Sequence, residues 1–326
     1  MNRIIIKKIL TPAGILFLLL FLLTYPQESL SAAQDGMKLW LNTLLPTLLP
    51  FLILTGLLIR TDCIEKALSP FRNFWRILFG LSPSGAYAFL LGMLCGYPMG
   101  AKLASDLYSC GKISKREAEY LLTFANQPSP AFLTTYLAQI CLGQKISAGE
   151  IWGILLLADA ACMLFFRFLI FHGHTRSGNS SPSETSSGRQ ITLKKETSTA
   201  SSPGSIIDVS IMNGFETITR LGGYILLFSL ISACIRHCWK WSADLCSLIL
   251  GTMELTTGLH QNALSDLPFE IQYPVSMALT AFGGCCIMAQ TRSVTDKRLS
   301  FLPFLSAKCL NSLLTFLFVL VFSKLI

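Results

Sequence analysis

Few side chains in this sequence could do chemistry in apolar surroundings, and Glu254 is the first to single out. It lies in Met253-Glu-Leu-Thr-Thr-Gly258, beside Thr256 and Thr257, within an otherwise apolar segment. A charge there costs at least about 2.5–3.5 kcal/mol on insertion scales unless it is paired or solvated. Such a carboxylate can accept ligand hydroxyls or amines, or hold a coupling proton or cation. The alternative is an interfacial Glu at a helix end. Asn126 and Gln290 each lie beside a helix break and offer donor and acceptor to a polar ligand or to freed backbone. Lys102 and Asp106 are spaced to pair on one helix face. At the tip of a re-entrant hairpin Lys102 would attract an anion; elsewhere it would snorkel. Asp159 and Arg167, two turns apart in one apolar run, are assigned to packing or topology.

Other chemistries find no footing. There is no P-loop, Gly-rich phosphate cradle or nucleophile–base pair, so the chain is not expected to be an enzyme or to hold a cofactor. Its 11 Cys form no CxxC pair, and most lie in apolar runs, where Cys behaves as a small hydrophobe. Cys234-x₃-Cys238 around His237 and the neighbours Cys285 and Cys286 have weak ligand spacing, so no metal is expected.

The elements that hold these residues are membrane helices. The 326 residues are 52% hydrophobic and 13% charged, against roughly 25% charged in soluble domains. Mean hydropathy is +0.55. The net charge of +8 comes from Lys and Arg placed between apolar runs, which reads as a topology signal and not as nucleic-acid binding. The stretch from Gly92 to Ala131 organises the rest. It breaks at Gly96-Tyr97-Pro98-Met99-Gly100 and again at Asn126-Gln127-Pro128-Ser129-Pro130. Proline removes a donor and glycine tolerates non-helical backbone, so both places interrupt helices at membrane depth. Short surface connections between helices are the plainer alternative.

In chain order, Ile9 to Tyr25 reads as a first helix retained with its basic start inside the cell, with cleavage near Ser31-Ala32-Ala33 as the competing reading. Leu39 to Ile59 is a second span. The basic and aromatic segment up to Phe79 suits a helix at the inner interface. A broken hairpin follows over Ala86 to Tyr108, then Glu117 to Leu142 with its own break, then Ile151 to Phe171. His172 to Gly204 is Ser/Thr/Gly-rich and reads as a disordered cytoplasmic linker. The second half gives an amphipathic lead from Ile206, a span from Leu221 to Ile235, and Leu245 to Leu259. Tyr273 to Gln290, with Gly283 and Gly284, and Phe301 to Phe322 complete it.

The two halves repeat. Gly92-Met-Leu aligns with Gly251-Thr-Met, and Thr123 to Asn126 aligns with Ala281 to Gly284, at nearly one offset. Pro50 to Leu54 aligns with Gly223 to Leu227 at a larger one, as a shortened interfacial segment would give. Charge placement then directs the halves oppositely. The expected fold is an all-α polytopic membrane protein with an inverted repeat and two re-entrant or broken helical hairpins, a recurrent transporter design. The domains are residues 1–38, a first repeat over 39–172, a linker over 173–204 and a second repeat over 205–326. Gly96, Pro98, Gly100, Pro128, Gly258, Gly283 and Gly284 mark the hairpin breaks.

Gly-Tyr-Pro-Met-Gly-Ala-Lys from Gly96, Asn126 to Pro130, Met253 to Leu259 and Ala281 to Gln290 together resemble the YlbJ-type sporulation integral membrane proteins, of the nucleoside-recognition (Gate) group. The resemblance runs from about Leu39 to the C-terminus, apart from the linker. It implies a spore former, a multi-pass protein of the mother-cell or forespore membrane, and a role in making the spore cortex. It also implies hairpin repeats like those of concentrative nucleoside transporters. The expected function is to move or bind a small polar solute, nucleoside-like by the group's label, through Glu254, Asn126, Gln290, Lys102, Asp106, Thr256 and Thr257. The alternative is a non-transporting scaffold for cortex assembly, associating with itself or with other sporulation membrane proteins. In a background cleared of native Cys, a thiol label added from outside should reach position 262 but not 112 or 185. Labelling of 112 and 262 from one side would refute opposite orientations.

Overall fold

The computed structural model describes residues 2–60, 68–171, 203–240 and 242–322, and among these every regular element is helical. The linker expected over 173–204 lies outside the described residues up to position 202. Among the described residues four stretches are long and apolar enough to cross a membrane: Ala148–Ile170, Ile206–Cys238, Phe269–Val294 and Leu302–Phe322. Counting two bent helix pairs as spans raises this to six.

The chain opens with α1 (Asn2–Thr24) and bends by 107° at Tyr25, where Pro26 starts α2 (Pro26–Leu39). Proline suits a first helical turn because its missing N–H would be unpaired there in any case. The expected second span over Leu39 to Ile59 is instead continuous with α2, and its apolar part, Leu45–Ile59, is shorter than a full crossing. From α2 the chain runs through a π-helical turn, Trp40–Leu44, into α3 (Leu45–Arg60). Ala32, in the segment read as a possible cleavage site, is buried with Phe21, Ala233 and Cys234. The interfacial segment contains the short helix α4 (Arg72–Leu78), with Phe74 and Ile77 exposed. Arg167 donates to the carbonyls of Ile77 (2.9 Å) and Leu78 (2.5 Å), which fits its structural assignment.

Next come α5 (Pro83–Cys95) and α6 (Met99–Ser109), joined at Gly96 with φ +84°. Helix α7 (Lys115–Phe124) ends at the Asn126–Pro130 break, and the chain resumes as α8 (Phe132–Cys141), wound as a π-helix. Helix α9 (Ala148–Phe165) continues into another π turn, Phe166–Ile170. Ser82, Ser114 and Ser147 start α5, α7 and α9, each accepting a backbone N–H three residues on. In the second half the expected amphipathic lead and span are one helix, α10 (Pro203–Cys238). The expected span Leu245 to Leu259 is instead two helices, α11 (Ala243–Met253) and α12 (Leu255–Ala263), because Glu254 takes an extended conformation between them. Helix α13 (Phe269–Phe282) stops at Gly283, with φ +85°, and α14 (Gly284–Val294) follows. Helix α15 (Leu302–Phe322) completes the described fold.

The same glycine geometry recurs in both halves. A Cβ on Gly100 would collide with the Ala125 carbonyl, and one on Gly92 with that carbonyl and with Gly100. In the second half, a Cβ on Gly258 would collide with Gly251, while Gly284 packs over the carbonyls of Gly251 and Met253. Each hairpin thus closes on its own half's second break through backbone contact that only glycine permits. Packing between halves is reciprocal as well. Helix α6 packs on α14 and α12 on α8, while α3 pairs with α10 and α9 with α15. Small residues permit the approach to α10: Gly214 packs against Leu49 and Ile53 of α3, and Gly222 lies beneath the ring of Trp40 in the preceding π turn, whose Nε1 donates to the Ile218 carbonyl at 2.9 Å.

A polar clasp joins α6 to the loop after α14. The Ser109 hydroxyl donates to Asp296 (3.2 Å), and the Asp296 N–H donates to Ser105 (2.8 Å). The hydrogen-bonded Arg298 guanidinium holds the Asp296 carboxyl down to about 2. A depressed carboxyl pKa stabilises the fold above the unfolded value near 4 and ceases to do so as pH falls towards 2.

Asn262, read as an outward label site, is buried, its amide donating to the Gln272 carbonyl and to Ser276 at 2.9 Å each. Exposed Asp266 and Lys115 are therefore better label positions for testing the expected opposite orientations. Gly100→Ala and Gly258→Ala should each destabilise by about 3 kcal/mol, since backbone must move to admit a methyl. Gly153→Ala, with open space around the position, should change stability by no more than about 1 kcal/mol. Thermal unfolding of the detergent-solubilised chain would separate the two cases.

Candidate functional site

The helix breaks converge on a cation that the sequence reading passed over. Lys308 sits in the first half of α15, in an apolar run, and is 2% exposed. Its Nζ donates to the carbonyl of Asn126 at 2.6 Å, just beyond the end of α7. It also donates to the Ala281 carbonyl at 3.3 Å, in the last turn of α13. Helix C-termini carry unpaired carbonyls and the negative end of the helix dipole, so two such ends suit an ammonium. Gln127 Oε1 is a third acceptor at 3.3 Å, and the ring of Tyr97, from the α5–α6 break, lies 5.2 Å from Nζ. The Tyr97 hydroxyl donates to the Thr280 carbonyl at 3.0 Å and so links the first half's hairpin to the second half's break.

The balancing anion is Asp159 on α9, 5% exposed. Gln127 bridges the two charges: its Nε2 donates to Asp159 Oδ1 at 2.5 Å while its Oε1 faces Lys308. Asn311, one turn beyond Lys308, donates to the same carboxylate oxygen at 3.2 Å. A recess of about 20 Å³, room for about one water molecule, opens beside Gln127, Pro128 and Asp159. Asp159 therefore does more than the packing or topology assigned to it. It balances a buried cation at the contact between the halves. The sequence signal was available as a Lys among the apolar residues of the last span, and an ionisable residue there is a functional candidate by default.

The residues read from the sequence fall into three groups. Asn126 and its neighbour Gln127 are in the network; the Asn126 amide donates to Thr291 Oγ1 at 3.1 Å, and its Oδ1 is buried without a partner among the described residues. Gln290, beside Thr291, donates to Cys286 Sγ at 3.2 Å. Glu254 is the N-cap of α12, accepting from the backbone N–H of Thr256 (3.1 Å) and Thr257 (2.7 Å) and from both hydroxyls (2.7 and 2.6 Å). It is 8% exposed, and these four donors, with the positive end of the helix dipole, offset its burial. Lys102 and Asp106 pair one turn apart on α6, at 2.5 Å. Thr256 and Thr257 also line a polar cleft of about 210 Å³ with Asp35, Arg236, His260 and Tyr136.

A chain of broken apolar helices with a charged centre between two reciprocally packed halves is a multi-pass α-helical membrane protein. Along its length it is similar to the sporulation integral membrane protein YlbJ of Bacillus subtilis (strain 168), with 26% identity over 99% of this chain and 85% of that protein. The expected resemblance to the YlbJ-type proteins is thus borne out, and the long apolar helices agree with a membrane-integral chain. No family model matches the chain, and no solved structure does.

Removing one member of a buried pair strands the other charge, so Lys308→Met and Asp159→Ala should each cost about 3–5 kcal/mol. The double variant Lys308→Met/Asp159→Ala should be more stable than the sum of the two single losses implies, as a double-mutant cycle by thermal unfolding would show. Glu254→Leu should cost about 2 kcal/mol and Glu254→Gln less, since an amide oxygen still caps the helix.

Proposed function

We propose that this sporulation membrane protein is a transporter-like carrier that moves or binds a small polar solute in service of cortex formation. Its place would be the mother-cell or forespore membrane. The observation that supports this most is the placement of both halves' helix breaks around the Lys308–Gln127–Asp159 network. Unwound backbone at membrane depth persists only inside protein or along a polar cavity, and carriers place their sites at such breaks. The polar cleft beside Thr256 and Thr257 gives a solute a way to reach the second hairpin. The Gate-group resemblance suggests a nucleoside-like solute. We read the chain as a non-enzyme whose polar groups bind and gate. Association with itself or with other sporulation membrane proteins belongs to the scaffold alternative.

Complementation of a sporulating deletion strain tests this reading. Lys308→Gln and Asp159→Asn should accumulate in the membrane but yield few heat-resistant spores. Glu254→Gln should behave as wild type if Glu254 is only a cap. A ligand-stabilisation screen over nucleosides, amino acids, metal ions and dipicolinate would name the solute class, and proteoliposome uptake would then show movement. Wild-type spore yields from both charge variants at normal abundance would sink the carrier reading. Normal cortex from protein that binds no solute but co-purifies with cortex machinery would establish the scaffold instead.

A further inference from the structure

Carriers with broken helices use free carbonyls at half-helix C-termini to seat a coupling cation. In this chain the corresponding oxygens converge, but on a side chain. Asn126 O, Ala281 O and Gln127 Oε1 all face Lys308 Nζ, at 2.6, 3.3 and 3.3 Å, and come from the breaks after α7 and within the last turn of α13. The Tyr97 ring contributes its negative face on another side. Three neutral oxygens and a π-face attract a positive charge without bearing one of their own, and Asp159 supplies the compensating charge through Gln127.

We propose that this cluster is a monovalent-cation seat whose occupant is tethered: the Lys308 ammonium stands where a free Na⁺ would otherwise bind. The seat is oxygen-lined and buried, and Lys308 comes from α15, the helix that packs against α13 and α7 together. A tethered cation cannot dissociate, so wild-type protein has no free seat for Na⁺ and works without it. Shortening the side chain should empty the seat and expose its affinity. The inference rests on the carrier reading only for its meaning in transport.

The test is thermal unfolding of the full chain in detergent, at equal ionic strength in sodium, potassium or choline chloride. Wild type should unfold at the same temperature in all three. Lys308→Ala should unfold roughly 5 °C or more lower in choline. Sodium, or ethylammonium as a replacement for the severed head group, should recover part of that loss. If Lys308→Ala does not accumulate, Lys308→Gln should show the same lowered midpoint and the same recovery in sodium. Sodium-specific stabilisation of wild type would overturn the proposal, as would a truncated variant that responds to no added cation. The readout is unfolding and not solute movement, so failure here leaves the carrier reading standing, and a failed spore assay leaves the seat standing.

Discussion

Broken helices leave carbonyls without partners, and in apolar surroundings each unpaired group costs several kcal/mol. The Lys308 ammonium meets that requirement at two breaks together, joining the end of α7 to the end of α13. Its own burial is tolerable only because Asp159 lies one amide away, and Gln127 can serve as that amide because its two ends donate and accept in opposite directions. The glycines at 92, 100, 251 and 258 complete the arrangement by letting backbone come within reach of backbone. Charge and amide thus depend on each other, while the glycines set how closely the broken ends approach.

The breaks themselves were legible in the sequence. Gly-Tyr-Pro-Met-Gly and Asn-Gln-Pro-Ser-Pro cannot continue a helix, and the structure interrupts the chain at both. Gly92 and Gly251, which the repeat aligns, each pack closely where helices meet at a break. Glu254 lies at a helix break, where its carboxylate caps α12. A carboxylate followed by two threonines at the start of a helix finds donors in the next turn, which is the helix-end alternative the sequence offered. The long α10 was read as two pieces because its amphipathic start and apolar remainder have different periodicity, although nothing in between stops a helix.

The charged centre was hidden for a different reason. Its members come from α7's end, α9, α13 and α15, and no local pattern connects them. Asp159 drew attention next to Arg167, its neighbour in sequence, whereas its true counterpart lies beyond the linker. Arg167 turned out to cap α4. Pairing by proximity along a helix is a weak guide in a bundle where the costly polar groups find each other across it.

The pairing of α9 with α15 bears on how such a molecule can arise. These are the corresponding last helices of the two halves, and they face each other, one carrying Asp159 and the other Lys308. Two copies of one half would bury two Asp159 or two Lys308 with no counter-charge of the other sign, which desolvation forbids. Opposite charges across that contact require the halves to differ. Neither half can therefore replace the other, and a symmetric dimer of either one would lack a neutral centre. Joining the halves in one chain guarantees that each acid meets a base.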